Sequence, residues 1–158
     1  MAITKWTNVI CETRNKSLVI VDQCRLRALS RNKTILNIGV ELLHPVRNLY
    51  INWKLYKREN GYKPWLGQYT VDYCAFMRRV NHPVIKLLYD IIQDFTNLNH
   101  TCPFVGKIVV KDFFWDTTNY TLPAPTGDYL LLLTWISNKK KQLLTSIYFS
   151  FKQDIFTE

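Results

Sequence analysis

Three histidines, His44, His82 and His100, are the side chains on which acid–base or metal chemistry near neutral pH would first be sought. His44 and His82 each stand directly before a proline, and His100 lies inside Asn99-His-Thr, so all three sit at turn signals. None has the neighbours of a recognisable nucleophile or metal pattern. The chain has no G-x-S-x-G, no H-E-x-x-H and no glycine-rich phosphate loop, and 5 glycines are too few to build one. Zinc ligands come in short-range pairs, whereas Cys11, Cys24, Cys74 and Cys102 stand far apart with no C-x-x-C. The best enzyme that can be assembled is a basic secreted ribonuclease using two histidines and a lysine, and nothing in the spacing brings those groups together. The reading is therefore a protein that is not an enzyme and holds no metal and no cofactor.

The cysteines carry a different message. Their even number accompanies four N-x-S/T acceptors, Asn15-Lys-Ser, Asn32-Lys-Thr, Asn99-His-Thr and Asn119-Tyr-Thr. That combination in a small domain belongs to the oxidising, glycosylating route out of the cell, so the chain is expected to be secreted and extracellular. It opens Met-Ala-Ile-Thr-Lys-Trp, without the apolar stretch of a signal peptide. The expectation is a mature domain restarted at a methionine, or a chain whose upstream exon is missing. The longest apolar run, 129–136, is far short of the roughly 20 residues a membrane helix needs and reads as a buried strand; no transmembrane segment is predicted.

The elements that must position these groups are mostly strands. With 158 residues, 47% of them hydrophobic, the chain is long and apolar enough for one packed domain, 1–158, and no linker or repeat divides it. Residues 47–56 alternate, with Leu49, Ile51, Trp53 and Leu55 on one face and Asn48, Asn52 and Lys54 on the other. Asn60-Gly61 supplies a turn, and an extended run follows over 65–76. Further strands are predicted at 17–29, 34–43, 107–116, 128–137 and 142–152. One helix interrupts them at 83–97, where Val84, Leu87, Leu88, Ile91, Ile92 and Phe95 recur at helical spacing behind Pro83. The class is all-β with one helix.

The charge balance of 21 basic against 12 acidic residues gives a net +9. Such a surplus suits an acidic partner or an anionic surface. The basic residues are scattered, in short clusters such as Arg25 with Arg27, Arg78-Arg79 and Lys139-Lys-Lys141, the last placed like a hairpin turn after Ser137-Asn138. They read as solvated surface, and no nucleic-acid partner is expected.

Specific strings add a resemblance. Leu55-Tyr-Lys-Arg-Glu-Asn-Gly-Tyr-Lys-Pro-Trp-Leu66 is followed in order by Thr70-Val-Asp-Tyr-Cys-Ala-Phe76, Asn97-Leu-Asn-His-Thr-Cys-Pro103 and Leu122-Pro-Ala-Pro-Thr-Gly-Asp-Tyr129. Together with Trp6-Thr-Asn-Val-Ile-Cys11 and Val21-Asp-Gln-Cys24, they resemble an insect family of mostly uncharacterised secreted proteins related to the contact-chemosensory B proteins. The resemblance implies the ML-type lipid-recognition fold, an immunoglobulin-like antiparallel β-sandwich whose sheets part to admit an acyl chain or sterol. It implies a lipid or other hydrophobic small molecule as ligand, a membrane receptor as partner and a role in pheromone detection. It brings no catalytic motif.

On that footing, the expected lining of an apolar cavity is Leu49, Ile51, Trp53 and Leu55 from one strand, Leu133 and Trp135 from 128–137, Phe149, and Leu88, Ile91 and Phe95 from the helix. Phe113 and Trp115 are further rings that could border it. Basic residues at the rim would select an anionic or polar head group. Of the three cysteine pairings, the favoured one joins Cys11 to Cys24 and Cys74 to Cys102, the second fastening both ends of the helical excursion. The protein is expected to be a monomer. The competing reading is an extracellular interaction module with a closed core and a basic partner-binding face.

Overall fold

The computed structural model describes residues 2–79, 82–116 and 124–153. Among the described residues eight strands run in chain order: β1 (Ala2–Thr13), β2 (Val19–Ser30), β3 (Lys33–Val46), β4 (Tyr50–Arg58), β5 (Tyr62–Asp72), β6 (Phe104–Phe113), β7 (Gly127–Ser137) and β8 (Lys140–Gln153). They form two antiparallel sheets, one of order β1-β8-β7-β4-β5 and one of order β2-β3-β6. Apolar side chains from both sheets make one contiguous core, so the architecture is the immunoglobulin-like sandwich expected.

Turn chemistry sets the hairpins. Asn60 (φ 57°) and Gly61 (φ 90°) turn the chain between β4 and β5, in the left-handed conformations that Asn-Gly adopts at little cost. Asn138 (φ 53°) and Lys139 (φ 62°) do the same between β7 and β8, which places the basic cluster at a hairpin tip. Asn48 braces that tip: its Oδ1 accepts from the Asn138 backbone N–H at 2.7 Å, and its carbonyl accepts from Ser137 Oγ at 2.7 Å.

Between β5 and β6 the chain leaves one sheet and joins the other, and here the structure departs from the expectation of one helix. Among the described residues two helices form, α1 (Tyr73–Arg78) and α2 (Pro83–Ile92). The extended run expected to reach residue 76 stops at Asp72, whose carboxylate caps α1 by accepting from the Ala75 N–H at 3.0 Å. Tyr73, Phe76 and Met77 then recur at helical spacing, and their side chains turn into the core. In α2, Pro83 takes the first turn as expected, and His82 Nδ1 caps the helix by accepting from the Ile85 N–H at 3.3 Å. The α-helix ends at Ile92, not at 97; a 3-10 turn, Gln93–Phe95, carries the chain on to β6.

The disulfides are Cys11–Cys24 and Cys74–Cys102, the favoured pairing. Their positions in the topology matter more than their spacing. β1 and β2 are edge strands of opposite sheets, so Cys11–Cys24 clamps the sandwich along one side. On the other side β5 and β6 are the facing edges, and Cys74–Cys102 ties the start of α1, just after β5, to the segment entering β6. Both open sides of the sandwich are closed by a covalent link, with the helices covering the second.

Candidate functional site

The core is unevenly filled along the strands. Toward the start of β7 and the end of β8, large rings pack on one another. Tyr129 is completely buried and stacks on Phe149 with ring centres 5.4 Å apart. Trp6 lies against Phe113 at 5.2 Å and edge-on to Phe149 at 5.9 Å, while its indole N–H donates to the Phe113 carbonyl at 3.0 Å. Trp65 caps Tyr129 from β5 at 5.2 Å. In the other half the inward side chains are mostly aliphatic, and they leave a cleft of about 190 Å³ between the sheets.

The register explains which residues reach it. Ile51 opposes Trp135 and Trp53 opposes Leu133 across β4 and β7, while Trp135 opposes Leu143 and Leu133 opposes Thr145 across β7 and β8. Directly opposed residues share a face, so these form one inward layer. The three-stranded sheet supplies Leu36, Ile38, Val40 and Leu42 from β3, and Ile108, Val110 and Phe113 from β6. From α2, Ile85, Leu88, Tyr89 and Ile92 form the covering stripe.

Of the expected lining, Leu49, Ile51, Trp53, Leu88, Leu133 and Trp135 border the cleft, as does Phe113. Leu55, Ile91, Phe95, Phe149 and Trp115 do not. Leu55 opposes Leu131, one layer nearer the ring cluster, and Phe149 is held in the stack on Tyr129. Trp115 joins the same cluster, 6.5 Å from Trp6. The helix is rotated relative to the stripe first read: Val84 and Leu87 are exposed, and Ile91 is buried on the flank beside the lining stripe. The change to a 3-10 turn at Gln93 then directs Phe95 onto Phe113 and Phe114, at 5.1 and 5.7 Å. Ile85 and Tyr89 were missed although their spacing fits Leu88 and Ile92, because Val84 and Leu87 compete for the same pattern.

Among the described residues no Lys, Arg, His, Asp or Glu borders the cleft. Its polar groups are nearly all committed within the protein. Trp135 Nε1 donates to Thr145 Oγ1 at 2.9 Å, and Thr96 Oγ1 donates to the Val109 carbonyl at 2.7 Å. Gln142 Nε2 donates to the Ser137 carbonyl at 2.8 Å, while its Oε1 accepts from Asn15 Nδ2 at 2.9 Å. The Tyr73 hydroxyl donates to the Leu98 carbonyl, and burial, with a smaller contribution from Tyr89, pushes its pKa well above the ordinary tyrosine value. The Tyr89 phenol is also raised, by burial and then by the Asp90 carboxylate. Trp53 differs from Trp135 in this respect. Its indole nitrogen is shut off from solvent and has no hydrogen-bond partner.

Residues 51–131 match the family described as protein of unknown function (DUF1091). That span is just over half of the chain. The chain belongs to this family. No curated protein matches its sequence. The DUF1091 segment begins inside β4 at Ile51 and ends inside β7 at Leu131, so it contains β5, both helices, β6 and the Cys74–Cys102 link. It therefore holds the covering elements of the cleft, while β2, β3 and β8 complete the wall from outside it.

The glycosylation acceptors differ in surroundings. Asn32 is exposed in the turn between β2 and β3, and Asn99 is exposed after the 3-10 turn. Asn15 is half-buried, its amide donating to Gln142 and its Oδ1 accepting from Ser17 Oγ at 2.6 Å. Asn119 lies outside the described residues. Among the described residues no helix is long and apolar enough to cross a membrane, and no three His, Cys, Asp or Glu side chains gather into a metal-binding group.

Proposed function

We propose that this DUF1091 protein is a secreted carrier or co-receptor for an apolar small molecule, built on the ML-type lipid-recognition fold and acting in contact chemosensation as in the proteins related to the contact-chemosensory B family. The observation that carries the reading is the cleft itself. Unfilled interior volume forgoes on the order of 24 cal/mol per Å³ in packing, so a void of this size costs roughly 4.5 kcal/mol. Small domains have only about 5–15 kcal/mol of stability in total. A cost of that scale, at the covered side of a sandwich stapled on both sides, fits a site kept open for a ligand.

The size limits the occupant. An engineered apolar cavity of about 150 Å³ stays dry and takes up benzene, whereas drug-sized ligands fill roughly 300–1,000 Å³. The cleft at rest holds a ring or a short chain segment, and a longer chain extends through its mouth. Each methylene moved from water into the cleft contributes about 0.8 kcal/mol, which suffices for binding without a charged anchor.

Native mass spectrometry of protein secreted from insect cells tests the proposal. A co-purifying small apolar molecule, or uptake of a fluorescent fatty-acid or sterol probe, is the expected result. A bare mass together with no probe uptake would overturn it and leave the interaction module with its basic face.

A further inference from the structure

An antiparallel sheet with one face on a core alternates apolar side chains inward with polar ones outward, and β7 departs from that pattern. Tyr129 and Leu133 are buried in the core, whereas Leu130, Leu132 and Ile136 point to the other side of the five-stranded sheet, and none of these three is part of the core or packs against it. The register gives them neighbours of the same kind. Leu130 stands between Tyr56 of β4 and Tyr148 of β8, and Leu144 of β8 lies opposite Thr134, two positions beyond Leu132. Tyr56, Leu144 and Tyr148 are likewise outside the core, and all six side chains are half-buried. Tyr62 lies edge-on to Tyr148 at 5.6 Å and brings an exposed ring to the patch. A contiguous outward patch of leucines and tyrosines on the three inner strands of a sheet marks a surface that another macromolecule covers. The acceptors Asn15, Asn32 and Asn99 all lie in connections and none on β4, β7 or β8, so glycans at these three leave the patch bare.

We propose that this outer face joins two copies of the chain in a two-fold dimer, in place of the monomer expected from the sequence. With strands about 4.8 Å apart and a rise of about 3.4 Å per residue, five strands over ten residues offer roughly 800 Å², the area each partner of a standard interface buries. Charge chooses the occupant. The chain carries +9, yet the outward positions from Asn52 to Tyr56 and their partners on β7 and β8 hold one charged residue, Lys54. Toward one end of the face Arg58 is already paired with Asp128 at 4.0 Å. An acidic protein or an anionic bilayer gains little from such a surface, whereas a second sheet of the same twist matches it at the usual spacing of about 10 Å. The basic tip Lys139–Lys141 sets the direction. A two-fold axis running across the strands lays β7 antiparallel on its counterpart and keeps the two tips at opposite ends. Centred between the rows of Leu130 and Leu132, it sets Leu130 of one copy on Leu132 of the other and the Lys54 ammonium over the Tyr56 ring. The dimer goes beyond the carrier reading and is compatible with it, because the cleft and α2 lie on the opposite side of this sheet.

Sedimentation velocity of the full chain after glycan trimming, from about 1 to about 100 µM, tests the proposal across the affinity range of an interface of this size. The mass is expected to rise with concentration toward twice 18.8 kDa. Leu132→Arg and Leu130→Glu are each expected to raise the dissociation constant by at least about thirtyfold, as loss of a central anchor does. An equal mixture of the two variants is expected to recover the dimer, because Arg at 132 in one copy then faces Glu at 130 in the other. Probe uptake in the cleft, read beside the mass, stays as in the wild type, so failure of the dimer and failure of the carrier reading are told apart. A wild-type chain that remains at 18.8 kDa throughout overturns the proposal and leaves the face to a different occupant. A dimer that persists in both variants, or a mixture that stays monomeric, overturns it as well. Should the variants fold poorly, the wild-type methyl resonances decide: those of Leu130 and Leu132 shift with concentration while those of Leu88 do not, and no shift at the first two rejects the interface.

Discussion

Trp53 and Trp135 sit two positions apart in register on the antiparallel pair β4 and β7, both bordering the cleft, yet only the Trp135 indole is bonded, to Thr145 Oγ1 at 2.9 Å. The same residue type on one wall thus stands in two environments. One indole is locked to the adjacent β8 strand and stiffens the wall; the other keeps its donor unpaired. Trp53→Glu would place a carboxylate among aliphatic side chains and is expected to abolish probe uptake and lower stability by at least 2 kcal/mol. Urea denaturation read beside probe titration checks both outcomes.

Filling the cleft separates an open site from a closed core. Leu88 borders it from α2, and Leu88→Trp adds a ring's volume where space already exists. Overpacking a filled core costs about 1–3 kcal/mol. In this protein the substitution is expected to leave the urea midpoint unchanged or raised while eliminating ligand uptake. A loss of stability above about 2 kcal/mol would show that no usable space is present.

The disulfides close loops of different length, with sequence separations of 13 for Cys11–Cys24 and 28 for Cys74–Cys102. By the chain-entropy relation, replacing each pair with alanine costs about 3 and about 3.5 kcal/mol respectively. The second loss should also loosen the helices over the cleft, so ligand release is expected to accelerate in that variant and not in the first. Urea midpoints and dissociation kinetics of a bound probe distinguish the two pairs.

Alkaline conditions should destabilise the fold through its buried phenols. Burial raises Tyr73, Tyr129 and Tyr89 above the ordinary tyrosine value of 10.0. In the unfolded chain these groups ionise first, near pH 10, so the unfolded state binds fewer protons there and stability falls as pH climbs. Their contribution is complete below about pH 10 and is lost as pH rises toward the folded-state values. Denaturation at about pH 9 and about pH 11 should show the decline, and Tyr73→Phe should flatten it while sacrificing the bond to the Leu98 carbonyl. An unchanged slope in that variant would count against Tyr73 as a main source.

Glycan occupancy should follow the surroundings of each acceptor. Asn32 and Asn99 are exposed and are expected to be fully modified in secreted protein, whereas Asn15 uses its amide nitrogen to hold Gln142 and is expected to be modified only in part. Enzymatic deglycosylation followed by peptide mass mapping measures each site. Complete modification of Asn15 would mean that its bond to Gln142 is dispensable.

Much of the fold was legible because short-range physics wrote it. Alternation placed Leu49, just before β4, and Ile51 and Trp53 within it on the inner face, Asn60-Gly61 marked its hairpin, and Pro83 marked the start of α2. Helix α1 escaped notice because six residues give too little periodicity, and its signal was a single capping aspartate, Asp72. The helix face was misassigned for a related reason: α2 is apolar on more than one side, and only packing against the sheets decides between Val84 with Leu87 and Ile85 with Tyr89.

By itself the sequence determined the strand-rich class, the cysteine framework and the inward set of β4, because each follows from residue type and local period. The tertiary structure alone decided where space remains. Residues 129–133 are apolar on both faces, so nothing local chooses whether Tyr129 or Leu130 points inward; pairing with Phe149 across β7 and β8 settles it and gathers the rings in one half. A cleft is a deficit of volume summed over both sheets and a helix, and an unbonded indole is a missing partner among all of them. Neither is a property of any one segment, so each emerges only when distant strands meet.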